Sequence, residues 1–114
     1  MAQIVALIPD LLFGSAVVGA LQAGGHQVTL VSDLARLDRR ATELLVVDLT
    51  ADPGQRVELV RAAALPAGVK VLAFYAHVET DVRALAEEAG FDLVVPRSRM
   101  AREGASLVSR LVEG

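Results

Sequence analysis

Two carboxylates, an imidazole and a guanidinium each stand at or just beyond the end of a short aliphatic run. Asp10 follows Ile4–Ile8, Asp48 closes most of Leu44–Leu49, His77 follows Val71–Tyr75 and Arg97 follows Leu93–Val95. If those runs are parallel strands, the four groups gather on one rim, where open α/β sheets place their ligands. Such a set could hold a metal ion or a small ligand, or serve a metal-dependent reaction. Arg97, Ser98, Arg99 and Arg102 add a basic cluster near a helix start, which suits an anion or an acidic partner. Each group also has a plainer role. Asp10 can cap the following helix through the N–H of Phe13 or its neighbours, and Ser98 can cap the last helix. Asp48 can order the loop behind its strand, and His26, after Gly24-Gly25, reads as a turn residue at the opposite rim.

Other chemistries are absent from the sequence. There is no cysteine, so disulfides, thiolate metal sites and cysteine nucleophiles are excluded. No Gly-x-Gly-x-x-Gly, Walker or nucleophile-elbow motif occurs, and no His/Asp/Glu spacing approaches a zinc helix. We therefore expect no enzyme. The formal charge of −3 argues against nonspecific nucleic-acid binding, which needs a basic surface.

The elements that must position these groups are legible from periodicity. The aliphatic runs Ile4–Ile8, Val28–Val31, Leu44–Leu49, Val71–Tyr75 and Leu93–Val95 predict five strands, several apolar on both faces. Between them lie predicted helices. One covers Leu11 to Ala23, and a short one lies around Leu34 to Ala41. A third opens on Asp52-Pro53 as cap and first-turn proline and carries Val57, Val60 and Ala64. A fourth runs from Thr80 to Gly90 with Val82, Leu85, Ala86 and Ala89 on one face. The last begins near Ser98 or only after Gly104. Strict alternation predicts one α/β domain over residues 1–114, a three-layer sandwich with parallel sheet order 2-1-3-4-5.

Over half the chain is hydrophobic but only 4% is aromatic, so the core is aliphatic. Leu11 to Ala23 is too short for the roughly 18–20 residues that span a bilayer. The N-terminus lacks the basic stretch of a signal peptide. We expect a cytoplasmic, bacterial-type protein without membrane contact; the preference for arginine, 10 of the 11 basic residues, fits genome composition. The first helix is apolar or small around nearly its whole circumference, which predicts burial on more than one side. That points to a protein partner, most simply a homodimer, with Leu12 and Val18 in the interface.

Across its whole length the chain resembles a CheY-like response-regulator receiver domain, which has the flavodoxin-like (βα)5 fold. Asp10 resembles the family's acid after strand one, and Asp48 its phosphoacceptor at the end of strand three. Ala89-Gly90-Phe91-Asp92, continuing to Pro96, resembles its Gly-Ala-Asp…Lys-Pro stretch. The resemblance implies signal transduction, and a magnesium ion held by Asp10, Asp48 and the carbonyl of Thr50. Three positions depart from the pattern. Pro9-Asp10 replaces a pair of acids, Val95 stands where the lysine should be, and no serine or threonine occurs near Tyr75-Ala76. Phosphoryl transfer depends on positioned cations, and one lost donor costs on the order of 100- to 1000-fold in rate. A degenerate, stand-alone receiver-like module that needs no cofactor is the expectation. A phospho-acceptor receiver using Asp48 and Mg²⁺ is the alternative, and a ligand-binding or metal-dependent enzyme at the rim is a second. Arg97 is expected to bridge to Asp48, relieving the repulsion of the acid pair. His77 would add pH sensitivity at the same rim, its unperturbed pKa being about 6.5.

Overall fold

The computed structural model describes residues 2–76 and 80–113. Five strands, β1 (Gln3–Leu7), β2 (Gln27–Val31), β3 (Leu44–Asp48), β4 (Lys70–Tyr75) and β5 (Leu93–Pro96), form one parallel sheet in the order β2-β1-β3-β4-β5. Each lies within one residue of the run that predicted it. Four helices cover the sheet: α1 (Leu11–Ala23), α2 (Pro53–Ala62), α3 (Thr80–Glu88) and α4 (Arg97–Glu113).

The alternation of side chains along each strand divides the core in two. Ile4, Ala6, Val46, Leu72, Phe74 and Val95 face α1 and α4, where they meet Val17, Leu21, Met100, Leu107 and Val108. Leu7, Leu45, Val47, Val71, Ala73 and Val94 face α2 and α3, meeting Val57, Val60, Val82 and Ala86. All five residues of β3 are buried, as a strand with neighbours on every side must be. This is a three-layer α/β sandwich of the flavodoxin-like type.

The expected helix around Leu34 to Ala41 is absent. Asp33 Oδ1 accepts from the Ala35 N–H, and Asp38 Oδ1 accepts from the N–H groups of Arg40 and Ala41. Short acidic side chains that bond locally to the backbone compete with helix formation, and here they hold the segment as turns. The fold is therefore (βα)5 with one helix missing, and the sheet face over Val5, Thr29 and Val31 opens into a slot walled by Arg36, Leu37 and Asp38.

The other helix ends differ in detail from expectation. Pro53 opens α2, but Asp52 takes a left-handed φ of 48° and forms no cap hydrogen bond. The last helix starts at Arg97 and runs unbroken through Gly104, so Ser98 lies inside its first turn instead of capping it. Gly104 tolerates this because it is packed: a Cβ there would lie 3.1 Å from Met100 Cε. Gly90 ends α3 with φ of 85°, a conformation that favours glycine.

Candidate functional site

The rim at the carboxyl ends of the strands is built from the starts of α1 and α4 and the end of β3. Asp10 is the N-cap of α1, its Oδ1 accepting from the Phe13 N–H at 3.1 Å. Its Oδ2 lies 3.4 Å from Arg97 Nη2. The Arg97 guanidinium sits 4.2 Å from the centroid of the Phe13 ring. That ring packs on Phe74 with centroids 5.1 Å apart. One residue, Phe13, thus links the helix cap, the guanidinium and the core.

Asp48 is set apart from this cluster. It is 5% exposed, and its Oδ1 accepts from both the N–H of Thr50 at 2.8 Å and the Thr50 hydroxyl at 2.6 Å. The expected bridge from Arg97 to Asp48 is not made. Arg97 pairs with Asp10 because α1 and α4 pack together on one face, bringing the two helix starts side by side over Phe13. Asp48 stands behind them in the sheet, where its register partner is Phe74, and Phe74 in turn pairs with Val95. The position expected to carry the lysine is therefore the third in a row running Asp48, Phe74, Val95. Val95 is 1% exposed and belongs to the core.

Ser98 and Arg97 line a shallow depression with Phe13, Ala76 and Ala101. His77 lies outside the described residues. Among the described residues no cluster of three or more His, Cys, Asp or Glu could hold a metal ion. No helix among them is long and apolar enough to cross a membrane. On α1, Leu11 is 73% and Leu12 86% exposed, whereas Val18 is partly buried.

Sequence reasoning missed two features. Phe13 was visible only as an apolar residue of the first helix. His26 is more than a turn residue. Its Nδ1 accepts from the Ala2 N–H at 3.2 Å and its Nε2 lies 3.4 Å from Ser109 Oγ, tying the residue before β1 to α4 at the opposite end of the sheet. Asp92 has a similar role there, its Oδ2 accepting from the Val71 N–H at 2.7 Å. The part of the receiver-like stretch around Gly90-Phe91-Asp92 is thus a structural clamp between α3 and β4.

The two roles of Asp10 can be separated. Asp10→Ala is expected to lower stability by about 0.5–2 kcal/mol through loss of the cap. Asp10→Asn keeps a capping oxygen and removes only the charge. The half-exposed pair with Arg97 contributes roughly 0–1 kcal/mol, so this variant should stay near the parent in urea denaturation. Equal losses in both variants would contradict the capping assignment.

No protein-family model and no curated protein matches the sequence. Solved structures do match its fold. A response regulator from Thermotoga maritima superposes with a TM-score of 0.82 at 17% identity, covering 100% of this chain and 99% of that one. A CheY-like receiver domain protein from Methanospirillum hungatei JF-1 gives 0.83 at 17% identity, covering 99% and 94%. The non-phosphorylated HemR receiver domain from Leptospira biflexa gives 0.77 at 16%, covering 100% and 96%. Strand order, helix placement and these neighbours together identify the fold as that of CheY-like response-regulator receiver domains.

Proposed function

We propose that this chain is a receiver-like regulatory or protein-interaction module that works without efficient phosphorylation. The observation that carries this reading is the ion pair between Arg97 and Asp10, held over Phe13. A receiver needs its rim acids free to bind a cation and accept a phosphoryl group. Here Asp10 gives one oxygen to its helix cap and the other to a guanidinium, while Asp48 gives Oδ1 to Thr50. Asp10, Asp48 and the Thr50 carbonyl fit Mg²⁺ poorly in this arrangement, because the protein already supplies a positive charge at Asp10. Val95, inside the core, offers no second cation for a phosphoryl oxygen. Arg97 then acts as a built-in counter-ion that keeps the rim in one state.

As a module of this kind it acts through contacts. The absence of any charged residue in α1 and the exposure of Leu11 and Leu12 support a protein partner there, a second copy included. A cytoplasmic location and a role in signal transduction belong to the same reading.

One observation favours a phospho-acceptor receiver instead. Asp48 stands at the carboxyl end of the central strand, beside the β1 strand that leads to Asp10. Incubation with acetyl phosphate and Mg²⁺, followed by intact mass spectrometry, distinguishes the two. We expect little modification over hours. Stoichiometric phosphorylation that Asp48→Asn abolishes would overturn the proposal in favour of the phospho-acceptor. Arg97→Ala supplies a second arm, since freeing Asp10 should strengthen Mg²⁺ binding if the guanidinium holds the cation position.

A further inference from the structure

We infer that a second copy of the chain docks along the free edge of β2, pairing the two β2 strands antiparallel into a continuous ten-stranded sheet. This deepens, and rests on, the homodimer reading above.

The edge is open and unprotected. Among the described residues β2 ends the sheet and pairs only with β1. The Gln27 N–H donates to the Ala2 carbonyl at 2.9 Å, so the amides of Gln27, Thr29 and Val31 turn toward β1. The alternate residues Val28 and Leu30 therefore direct N–H and C=O groups outward. Soluble proteins blunt such edges with charges, proline or bulges. Gln27–Val31 reads Gln-Val-Thr-Leu-Val and carries none of them. The opposite edge, β5, has only four residues and ends in Pro96. β2 is also the one strand with no buried residue, despite its two valines and a leucine.

The pattern is self-complementary under a two-fold axis through Thr29. Val28 then lies opposite Leu30 of the second copy and Leu30 opposite its Val28. Both are outward-facing residues, and each pair exchanges two hydrogen bonds. Thr29 meets its own counterpart at a non-hydrogen-bonded position, where threonine pairs are favourable. No inner strand can repeat this arrangement, because each has neighbours on both sides, and β5 is shorter and ends in Pro96.

A strand pair alone is small against the roughly 800 Å² per partner of a stable interface. The flank of α1 beside β2 supplies the remainder. Gly14 sits on this strand, since a Cβ there would lie 3.1 Å from Leu30 Cδ1. Leu11, Val18 and Gln22 are three, four and eight residues from Gly14 and so share its side of the helix. None of these residues is charged, whereas α2, α3 and α4 carry charges along their exposed faces. Asp33 and Arg36, of opposite sign, flank the carboxyl end of β2, and the strand itself is uncharged, so for a chain of net charge −3 this edge is where two copies approach with little repulsion. Leu12, 86% exposed and two residues from Gly14, is turned away from β2.

Light scattering on the whole chain at high micromolar concentration tests the assignment. We expect a mass near twice 12.0 kDa for the parent and near 12.0 kDa for Thr29→Lys. Thr29 is exposed, so the substitution leaves the monomer folded, and it sets two like charges against each other across the axis. An equimolar mixture of Thr29→Lys and Thr29→Glu should recover the dimer, and Leu85→Lys, on α3 at the other end of the sheet, should leave it intact. Independently, the Val28 and Leu30 amides of the unaltered chain should exchange more slowly as concentration rises. A monomeric parent would overturn both the homodimer reading and this interface. A dimer that survives Thr29→Lys but is lost in Leu85→Lys would keep the homodimer and overturn the β2 assignment alone.

Discussion

Phe74→Ala is expected to destabilise the fold by about 3–5 kcal/mol, the range for removing a buried aromatic ring from a core. Phe74 is fully buried in β4 and is among the largest such side chains in the chain. Its strand lies between β3 and β5, and its Cα partners are Asp48 and Val95. Above it the Phe13 ring packs at 5.1 Å, and Arg97 rests on Phe13. Removing the ring therefore leaves a cavity and takes away the support beneath the rim cluster. Against a total stability of about 5–15 kcal/mol, this is a large fraction. Urea denaturation should register it as a lower midpoint with the slope unchanged. Leu59→Ala serves as the reference, since Leu59 is 41% exposed on α2 and should change stability far less. A Phe74→Ala loss near 1 kcal/mol would mean that the rim collapses onto the sheet without cost, contrary to the packing described.

Val95→Lys is expected to unfold or strongly weaken the chain and not to restore phosphorylation. Val95 is 1% exposed and packs among Phe74, Met100 and the residues of α4. An ammonium placed there has Phe74 between it and Asp48 in the row across the sheet. An uncompensated buried charge costs about 3–5 kcal/mol. Burial depresses the folded-state pKa of such a lysine below its ordinary value of about 10.4. Between the depressed pKa and that value the unfolded chain binds more protons than the folded one. The variant's stability should therefore rise with pH across that window, relative to the parent, and fall toward neutrality. Chemical denaturation at pH 7 and pH 10 measures the difference. A variant as stable as the parent at both values would mean that the amine reaches Asp48, reinstating the receiver arrangement that we argue is lost.

The physical reason for the division between what was legible and what was not is the range of the interactions involved. Strand positions follow from local aliphatic runs, which is why all five fell within a residue of their observed bounds. The order of the sheet followed from alternation and right-handed crossovers, constraints of chain geometry that need no side-chain detail. The cap at Asp10 was legible too, because an acid three residues from the N–H it bonds is a local arrangement. The missing helix at Leu34 to Ala41 was not. Its apolar residues have helical spacing, and the decision went to Asp33 and Asp38, whose bonds to nearby amides are equally local but oppose the helix.

Only the tertiary structure could decide the partner of Arg97. Sequence order places Arg97 after the fifth strand and Asp48 at the third, so topology brings both to one rim without ranking Asp48 against Asp10. The ranking comes from α1 and α4 packing on the same face, which sets Arg97 over the Phe13 ring beside Asp10. It comes equally from Asp48 being withdrawn into the sheet, where Thr50 occupies its Oδ1. The openness of the β2 edge belongs to the same class. The run Val28–Val31 announced a strand by itself, but that among the described residues no strand lies beyond it and no helix covers its second face are properties of how the rest of the chain was packed.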